Sequence, residues 1–403
     1  MRATRVAVLL AAAFLSPAVW ADKYPTNGEC DGFPKIDVVT PKGFCVGLIA
    51  DDFKFPRGLL PLPSGDLLVV DMRSWDPNKG SLWRMQRNGK QWNKTQLFSK
   101  LDRPNGLALG PDGMVYLGVV GGVMRFDPKA AQPALQAVIG GDSGIEPLQG
   151  TGRHPLVSLL FDAEGQLLVN VGSASDNCDK ANGPSCAEAE GEQARGVVRR
   201  YRFDKPGGKV TGWSIYARGL RNSMALALHS SGSIWQGENS RDAINKKINL
   251  PDNNDNDLPH DEINRLIPGG SYGWPYCYDM NVNAPEFPKY DCRKQQAPVV
   301  LLPGHAAPLG MTFYTAKQFP APWQGRLLVG FHGYRDNGHR LVAYDVAADG
   351  TPQGKPIPLI DGWGPKDTQP MGAPVDVRVG ADGAVYISED RNGTVLRLVY
   401  RGG

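Results

Sequence analysis

Past its first twenty residues the chain has no apolar run long enough to cross a bilayer, for which a helix needs about 20 such residues. It has no CxxC pair, the spacing expected of a structural zinc site, although six cysteines are present. It has no cluster of basic residues and a formal net charge of only +3, so the electrostatic footprint of a nucleic-acid binder is missing. Amphipathic helical periodicity is nearly absent too. These absences set aside a membrane-embedded protein, a zinc module, a nucleic-acid binder and a helical bundle.

What is present points to export. Arg2 and Arg5 precede an apolar run from Val6 to Leu15, and Val19-Trp20-Ala21 supplies small residues at the −3 and −1 positions. This reads as a secretory signal peptide over residues 1–21, an uncleaved anchor being the alternative, and it predicts a periplasmic or secreted protein. Without Arg2 and Arg5 the charge falls to about +1, close to neutral. In an oxidising compartment the six cysteines are expected to pair locally, as Cys30–Cys45, Cys178–Cys186 and Cys277–Cys292.

Length alone suggests two or three domains, but an internal repeat overrides that reading. Six times a turn ending in glycine leads directly into a β-rich run. The turn glycines are Gly65, Gly113, Gly165, Gly232, Gly325 and Gly383. Apolar runs precede each turn, and a third run usually follows the second, as in Gly122–Phe126 and Thr394–Leu398. Strand, tight turn, strand, loop, strand is the grammar of an antiparallel blade. The 49 glycines and 33 prolines suit many short strands. The expected fold is therefore all-β, a six-bladed β-propeller of four-stranded antiparallel blades over residues 51–403. Residues 22–50 are expected to form a lead segment with its own disulfide.

The glycine intervals are 48, 52, 67, 93 and 58 residues. The longest holds Asp261-Glu262-Ile263-Asn264, the Gly269–Pro275 corner, the polar run from Asp252 to Asp257, and Cys277 with Cys292. Long insertions on a regular scaffold build functional faces. Asp252–Asp257 lacks the glycine and the glutamate of an EF-hand and reads as a solvated loop. Asn93-Lys94-Thr95 and Asn392-Gly393-Thr394 match glycosylation acceptors.

Matching positions in a propeller point toward one axis. Arg57 and Asn105 lie eight residues before their turn glycines, His154 and Arg221 eleven, and Asn222 ten. His305 sits ahead of the first strand of blade five, and His332 after its second. Each side chain has an ordinary reading as a loop residue. Their shared register sets them apart, and Arg, Asn and His together suit an anionic, planar ligand with carbonyl groups.

With those residues in view, the chain resembles the pyrroloquinoline quinone (PQQ)-dependent soluble sugar dehydrogenases, including the aldose, glucose and sorbosone/pyranose branches. The resemblance covers nearly all of the chain after the leader. Its most specific part is Asp261-Glu262-Ile263-Asn264 followed by Gly269-Gly270-Ser271-Tyr272-Gly273-Trp274-Pro275, similar to the family's DEIN…GGNYGWP. Arg221-Asn222 followed by Gly237-Glu238-Asn239, and His305-Ala306-Ala307-Pro308-Leu309-Gly310 with His332-Gly333, extend it. The resemblance implies PQQ and a calcium ion as cofactors, with oxidation of the C1 hydroxyl or hydrated aldehyde of a sugar. His154 would be the catalytic base, and Arg221 would stabilise charge on the quinone oxygen. Arg57, Arg221, Asn222, Asn239, Asp261, His305 and His332 would hold the cofactor, and the backbone carbonyls of Ser240 and Arg241 would hold calcium. An external acceptor, a cytochrome or a quinone-like molecule, would take the electrons.

Three departures stand against the glucose branch. Ser173 occupies the place of the acidic residue that orients the histidine, with Asp176 as a candidate substitute. Ala373-Pro374-Val375 replaces an arginine pair, and no lysine accompanies His332. Two alternatives remain at this stage: a propeller that binds carbohydrate or protein without redox chemistry, and a calcium-dependent lactonase.

Overall fold

The computed structural model describes residues 24–178, 184–244, 247, 257–364 and 371–402. The leader 1–21 and most of the Asp252–Asp257 run lie outside these residues. Among the described residues there is no α-helix, and no helix long and apolar enough to cross a membrane. The strands among the described residues form six sheets, each with a four-stranded antiparallel core, and a separate two-stranded ribbon of Cys277–Tyr278 with Val282–Asn283. All six predicted turn glycines have positive φ, between 74° and 89°, a conformation that glycine adopts without a Cβ penalty. The repeat read from the sequence is therefore a repeat of backbone geometry.

Blade one runs Pro56–Pro61, Leu67–Asp71, Gly80–Asn88 and Gln91–Leu101. Blade two begins at Leu107–Leu109, blade three at Leu159–Phe161, blade four at Ala225–Leu228 and blade five at Pro308–Phe313. Blade six combines Pro374–Val379, Val385–Glu389 and Thr394–Tyr400 with Phe44–Ala50, drawn from the N-terminal segment. That pairing joins the two ends of the chain and closes the ring. Tyr24 adds to the closure by donating to Glu389 at 2.9 Å.

The second strand of each blade explains why these runs are apolar throughout rather than alternating. In Leu67–Asp71, Leu67 and Val69 pack into the layer shared with blade six, while Leu68 and Val70 pack into the layer shared with blade two. Leu327 and Val329 face blade four, and Leu328 faces blade six. A blade is buried on both faces, so the two-residue period places every side chain in one core or the other. Six such layers, one at each blade boundary, hold the ring.

Innermost strands approach closely. A Cβ on Gly58 would fall 2.1 Å from the Asn105 carbonyl oxygen. The three local disulfides are formed as expected, with no free cysteine among the described residues. Cys178–Cys186 and Cys277–Cys292 share one apolar cluster with Trp274, Tyr276 and Phe287, which stiffens the elaborated face. Of the two glycosylation acceptors, Asn93 is exposed. Asn392 is buried and donates to Met371 O and Glu389, and Thr394 is fully buried.

Candidate active site at the propeller axis

One cavity of about 270 Å³ opens where the blades converge. Arg57, His154, Arg221 and Asn222 line it, as do Asn239, Ser240 and Asp261. His305 and His332 complete the predicted members. Arg241 does not line it; its guanidinium turns to Glu286 at 2.7 Å. Asn105 lies in a neighbouring recess, accepting from Arg57 Nε at 3.0 Å and donating to Val157 O. The remaining histidines serve elsewhere: His229 packs on Phe313, His260 pairs with Asp279, and His339 bonds Gly372 O.

The backbone links the centre of the site within blade three and across its boundary with blade four. His154 N donates to Ser173 O at 3.2 Å, and Ser173 N donates to Arg221 O at 2.9 Å. The approach needs Gly172, where a Cβ would sit 2.5 Å from His154 O. Ser173 also decides the state of the histidine. Its hydroxyl donates to Ser175 O at 2.7 Å, so toward His154 Nδ1, 2.8 Å away, the same oxygen can only accept. Nδ1 therefore carries the proton and Nε2 the lone pair. Burial first, then the charges of Arg221 and Arg153, push the imidazole down to about 2, so it is neutral.

Asp176 does not substitute for an orienting carboxylate at His154. It accepts from Arg221 at 2.6 Å and from Asp242 N at 3.0 Å. Arg221 further donates to Asp176 O, Asn239 O and Asp242 Oδ2 at 3.0–3.1 Å. These bonds fix the plane of a guanidinium that borders the cavity.

On the far side of the ring, Asp390 joins Arg57 and His332. It accepts from Arg57 at 3.2 Å and stands 2.9 Å from His332 Nε2. Burial raises this carboxyl, but the charges of His332 and Arg57 outweigh burial and hold it below its usual range. The sequence reading missed Asp390, Asp242 and Arg335. A signal for Asp390 existed: counting seven residues past each turn glycine gives Asn239, His332 and Asp390 in blades four, five and six.

The diagnostic Asp261–Pro275 segment supports the site from behind. Asp261 receives Ser240 N at 2.8 Å and Ala307 N at 2.6 Å, so one carboxylate ties two cavity loops together. Its burial raises it to about 7 despite those bonds. His305 and Ala307 carry φ of 58° and 50°, a strained conformation for side chains with a Cβ. Trp274 Nε1 donates to Asp176 O at 3.0 Å, bracing the partner of Arg221. Tyr272 donates to Arg265 O at 2.5 Å and closes the corner.

Two exposed aromatics border the cavity, Trp75 and Tyr334. Trp75 lies 6.3 Å from Phe55, and Tyr334 lies 5.1 Å from His332 with Arg391 over its ring.

Solved structures share this architecture. The holo form of the pyranose dehydrogenase PQQ domain from Coprinopsis cinerea superposes with a TM-score of 0.72 at 18% identity, covering 92% of this chain and 99% of that one. The calcium structure of a Trichoderma reesei carbohydrate-active enzyme of family AA12 gives 0.70 at 19%, covering 94% and 98%. The PQQ-bound aldose sugar dehydrogenase of Streptomyces coelicolor gives 0.59 at 19%, covering 90% and 99%. At these identities the likeness is one of fold. Among curated relatives, an uncharacterized protein of Borreliella burgdorferi is 26% identical over 194 residues, 46% of this chain and 48% of that protein. One of Synechocystis sp. is 32% identical over 143 residues, 34% of this chain and 31% of that protein. The chain thus spans less than half the length of either curated relative. Over residues 38–401 the sequence fits the TrAA12-like family model, and the chain belongs to that family.

Proposed function

We propose that this protein is a PQQ- and calcium-dependent dehydrogenase that oxidises a sugar at C1, either as the hydroxyl or as a hydrated aldehyde. The observation that carries the reading is the His154 geometry: a neutral imidazole, fixed with its lone pair on Nε2, bordering a cavity lined by arginines from other blades. The named functions of the solved relatives, a pyranose dehydrogenase and an aldose sugar dehydrogenase, agree with it.

The donor set suits a flat polyanion. Arg57, Arg221 and Arg335 line the cavity together with the amides of Asn222 and Asn239. Arg57 and Arg335 would supply positive charge to the cavity that Ala373-Pro374-Val375 does not. Calcium would be held along the 240–242 segment, where Ser240 and Asp242 line the cavity and could offer oxygens, whereas Arg241 does not line it. When bound, PQQ would supply a two-electron acceptor for hydride, and calcium a Lewis acid beside it. His154 Nε2 takes the proton of the sugar hydroxyl as its C–H bond breaks. Arg221, held in plane by Asp176 and Asp242, offers its charge to the oxygen that becomes negative. Trp75 and Tyr334 provide apolar faces for a pyranose ring at the mouth. An external acceptor would be needed to take the electrons from the loaded protein.

The lactonase alternative needs carboxylates open to a metal on the axis. Asp261 instead spends both oxygens on backbone N–H groups.

The test is to titrate cofactor-free protein with PQQ, with and without calcium, and to follow the cofactor's absorbance. Dye reduction is then assayed with aldoses, pyranoses and 2-ketoaldehydes. Saturable binding and sugar-dependent reduction, lost in His154→Ala, are expected. Absence of PQQ binding would overturn the reading.

A further inference from the structure

A chain of contacts runs outward from His154 to a disulfide that the chemistry above leaves unused. Ser175, whose carbonyl takes the Ser173 proton, is itself held: its hydroxyl donates to Glu188 Oε1 and accepts from Cys178 N at 2.7 Å. The other Glu188 oxygen accepts from Ala174 N at 2.7 Å. Glu188 thus fastens the 174–175 turn at two points. It lies in the short 3₁₀ turn Ala187–Ala189, next to Cys186, whose disulfide to Cys178 closes the loop. Arg195 completes the frame, donating from its backbone to Glu188 O at 2.7 Å and from Nε to Gly172 O at 2.9 Å. The two sulfurs and the Glu188 carboxylate lie within 4.8 Å of one another. Because the sulfurs are bonded to each other, they offer no thiolate for a metal.

We propose that Glu188, Ser175 and the Cys178–Cys186 disulfide are positioning elements that select the tautomer of His154. A serine hydroxyl beside an imidazole can either donate or accept. Donation to Nδ1 would leave the proton on Nε2, where the imidazole cannot act as a base. The Ser175 carbonyl removes that choice only while the 174–175 turn keeps its place, which Glu188 and the disulfide ensure. A neutral hydroxyl relay of this kind does the orienting that a charged carboxylate would do, without placing a negative charge against the imidazole. The catalytic meaning of the tautomer rests on the function proposed above; the tautomer itself does not.

The test uses the full chain without cofactor, labelled with ¹⁵N-histidine, so its outcome is independent of whether PQQ binds. Histidine nitrogen shifts report which nitrogen carries the proton, and His154→Gln identifies the signal. The wild type should show a single Nδ1–H tautomer. Glu188→Ala, and separately Ser175→Ala, should bring the Nε2–H form to a comparable population. Ser173→Thr, which keeps the hydroxyl, should retain the wild-type pattern. The Cys178→Ser/Cys186→Ser pair should behave as Glu188→Ala does. Ser175→Ala removes one hydroxyl from a partly exposed turn, so a failure of the other variants to fold does not prevent the measurement. In the PQQ-loaded enzyme, kcat for Ser175→Ala should fall about twofold, in proportion to the Nδ1–H fraction that remains, with KM little changed. An unchanged Nδ1–H tautomer in Ser175→Ala, or in Glu188→Ala or the double cysteine variant where these fold, would overturn the proposal.

Discussion

His332 Nε2 stands 2.9 Å from Asp390, and the same carboxylate accepts from Arg57 at 3.2 Å. The three residues come from blades five, six and one, so Asp390 ties the side chains across the point where the ring closes. Arg57 and Asp390 are both nearly inaccessible, with side-chain exposures of 5% and 1%. Removing one member of such a pair leaves the other charge buried and uncompensated. Asp390→Ala is therefore expected to cost about 3–5 kcal/mol, with Asp390→Asn milder. Urea unfolding measures this directly. A cost below about 1 kcal/mol would mean that the pair is solvated or dispensable.

Much of this was legible from the chain, and the limits have a physical origin. Turn glycines are visible because positive φ restricts residue choice, and all six predicted positions adopt it. Cavity residues on inner strands were found by register, since blades repeat the same path. Asp390 escaped because its role depends on partners in other blades, Arg57 being 333 residues away, and Asp242 because its pairing with Arg221 within blade four follows from loop geometry and not from register. Ser173 and Asp176 were both named as candidates to orient His154. Choosing between them required side-chain geometry, because Asp176 is three residues from Ser173 yet turns to Arg221. Conversely, the Asp261–Pro275 segment identifies the chain strongly but acts largely through support, as in Asp261 bridging Ser240 and Ala307.

His154 should stay neutral well into acid. Its folded value is pushed down to about 2 by burial and by neighbouring arginines, whereas an unfolded histidine titrates near 6.5. The unfolded chain then binds more protons than the folded one between those values. Its contribution therefore erodes stability as pH falls below about 6.5. The ¹H and ¹⁵N shifts of the imidazole should be flat from pH 8 to 5 in cofactor-free protein. His154→Gln should lessen the acid-side loss of stability measured by denaturant midpoints. Titration of this ring near pH 6.5 would contradict the expected desolvation.

Glu262 and Glu238 are paired across adjacent strands, both buried, and each is raised chiefly by burial, Glu238 to about 7 and Glu262 well above its usual value. A raised carboxyl favours the folded state at low pH, and the advantage is lost as pH rises from the unfolded value toward the folded one. Glu262→Gln keeps an acceptor for Asn264 Nδ2, now at 3.0 Å, and removes the ionisable group. The variant should gain stability at pH 8 relative to wild type and show little difference at pH 4. Thermal melts at both values, run with a chelator to exclude adventitious cations, check this. Equal shifts at the two pH values would point to packing instead of charge.

Trp75 and Tyr334 provide the test of how a sugar is held. Both are large, exposed aromatics, at 55% and 61%, and both border the cavity. The fold does not need them there: Trp75 is backed by Phe55, and Tyr334 by His332 and Arg391. Covering roughly 50 Å² of apolar pyranose and indole surface is worth about 1.3 kcal/mol. Trp75→Ala should therefore raise KM for sugars about tenfold while leaving kcat and PQQ retention close to wild type, because interaction made equally before and during reaction affects binding alone. Trp75→Phe should recover most of the loss, since it restores a flat apolar face. Steady-state kinetics on a pyranose, with PQQ content fixed by absorbance, separates these terms. If kcat fell while KM held, Trp75 would be shaping the cofactor rather than receiving the sugar, and the mouth would have to bind its substrate through polar groups alone.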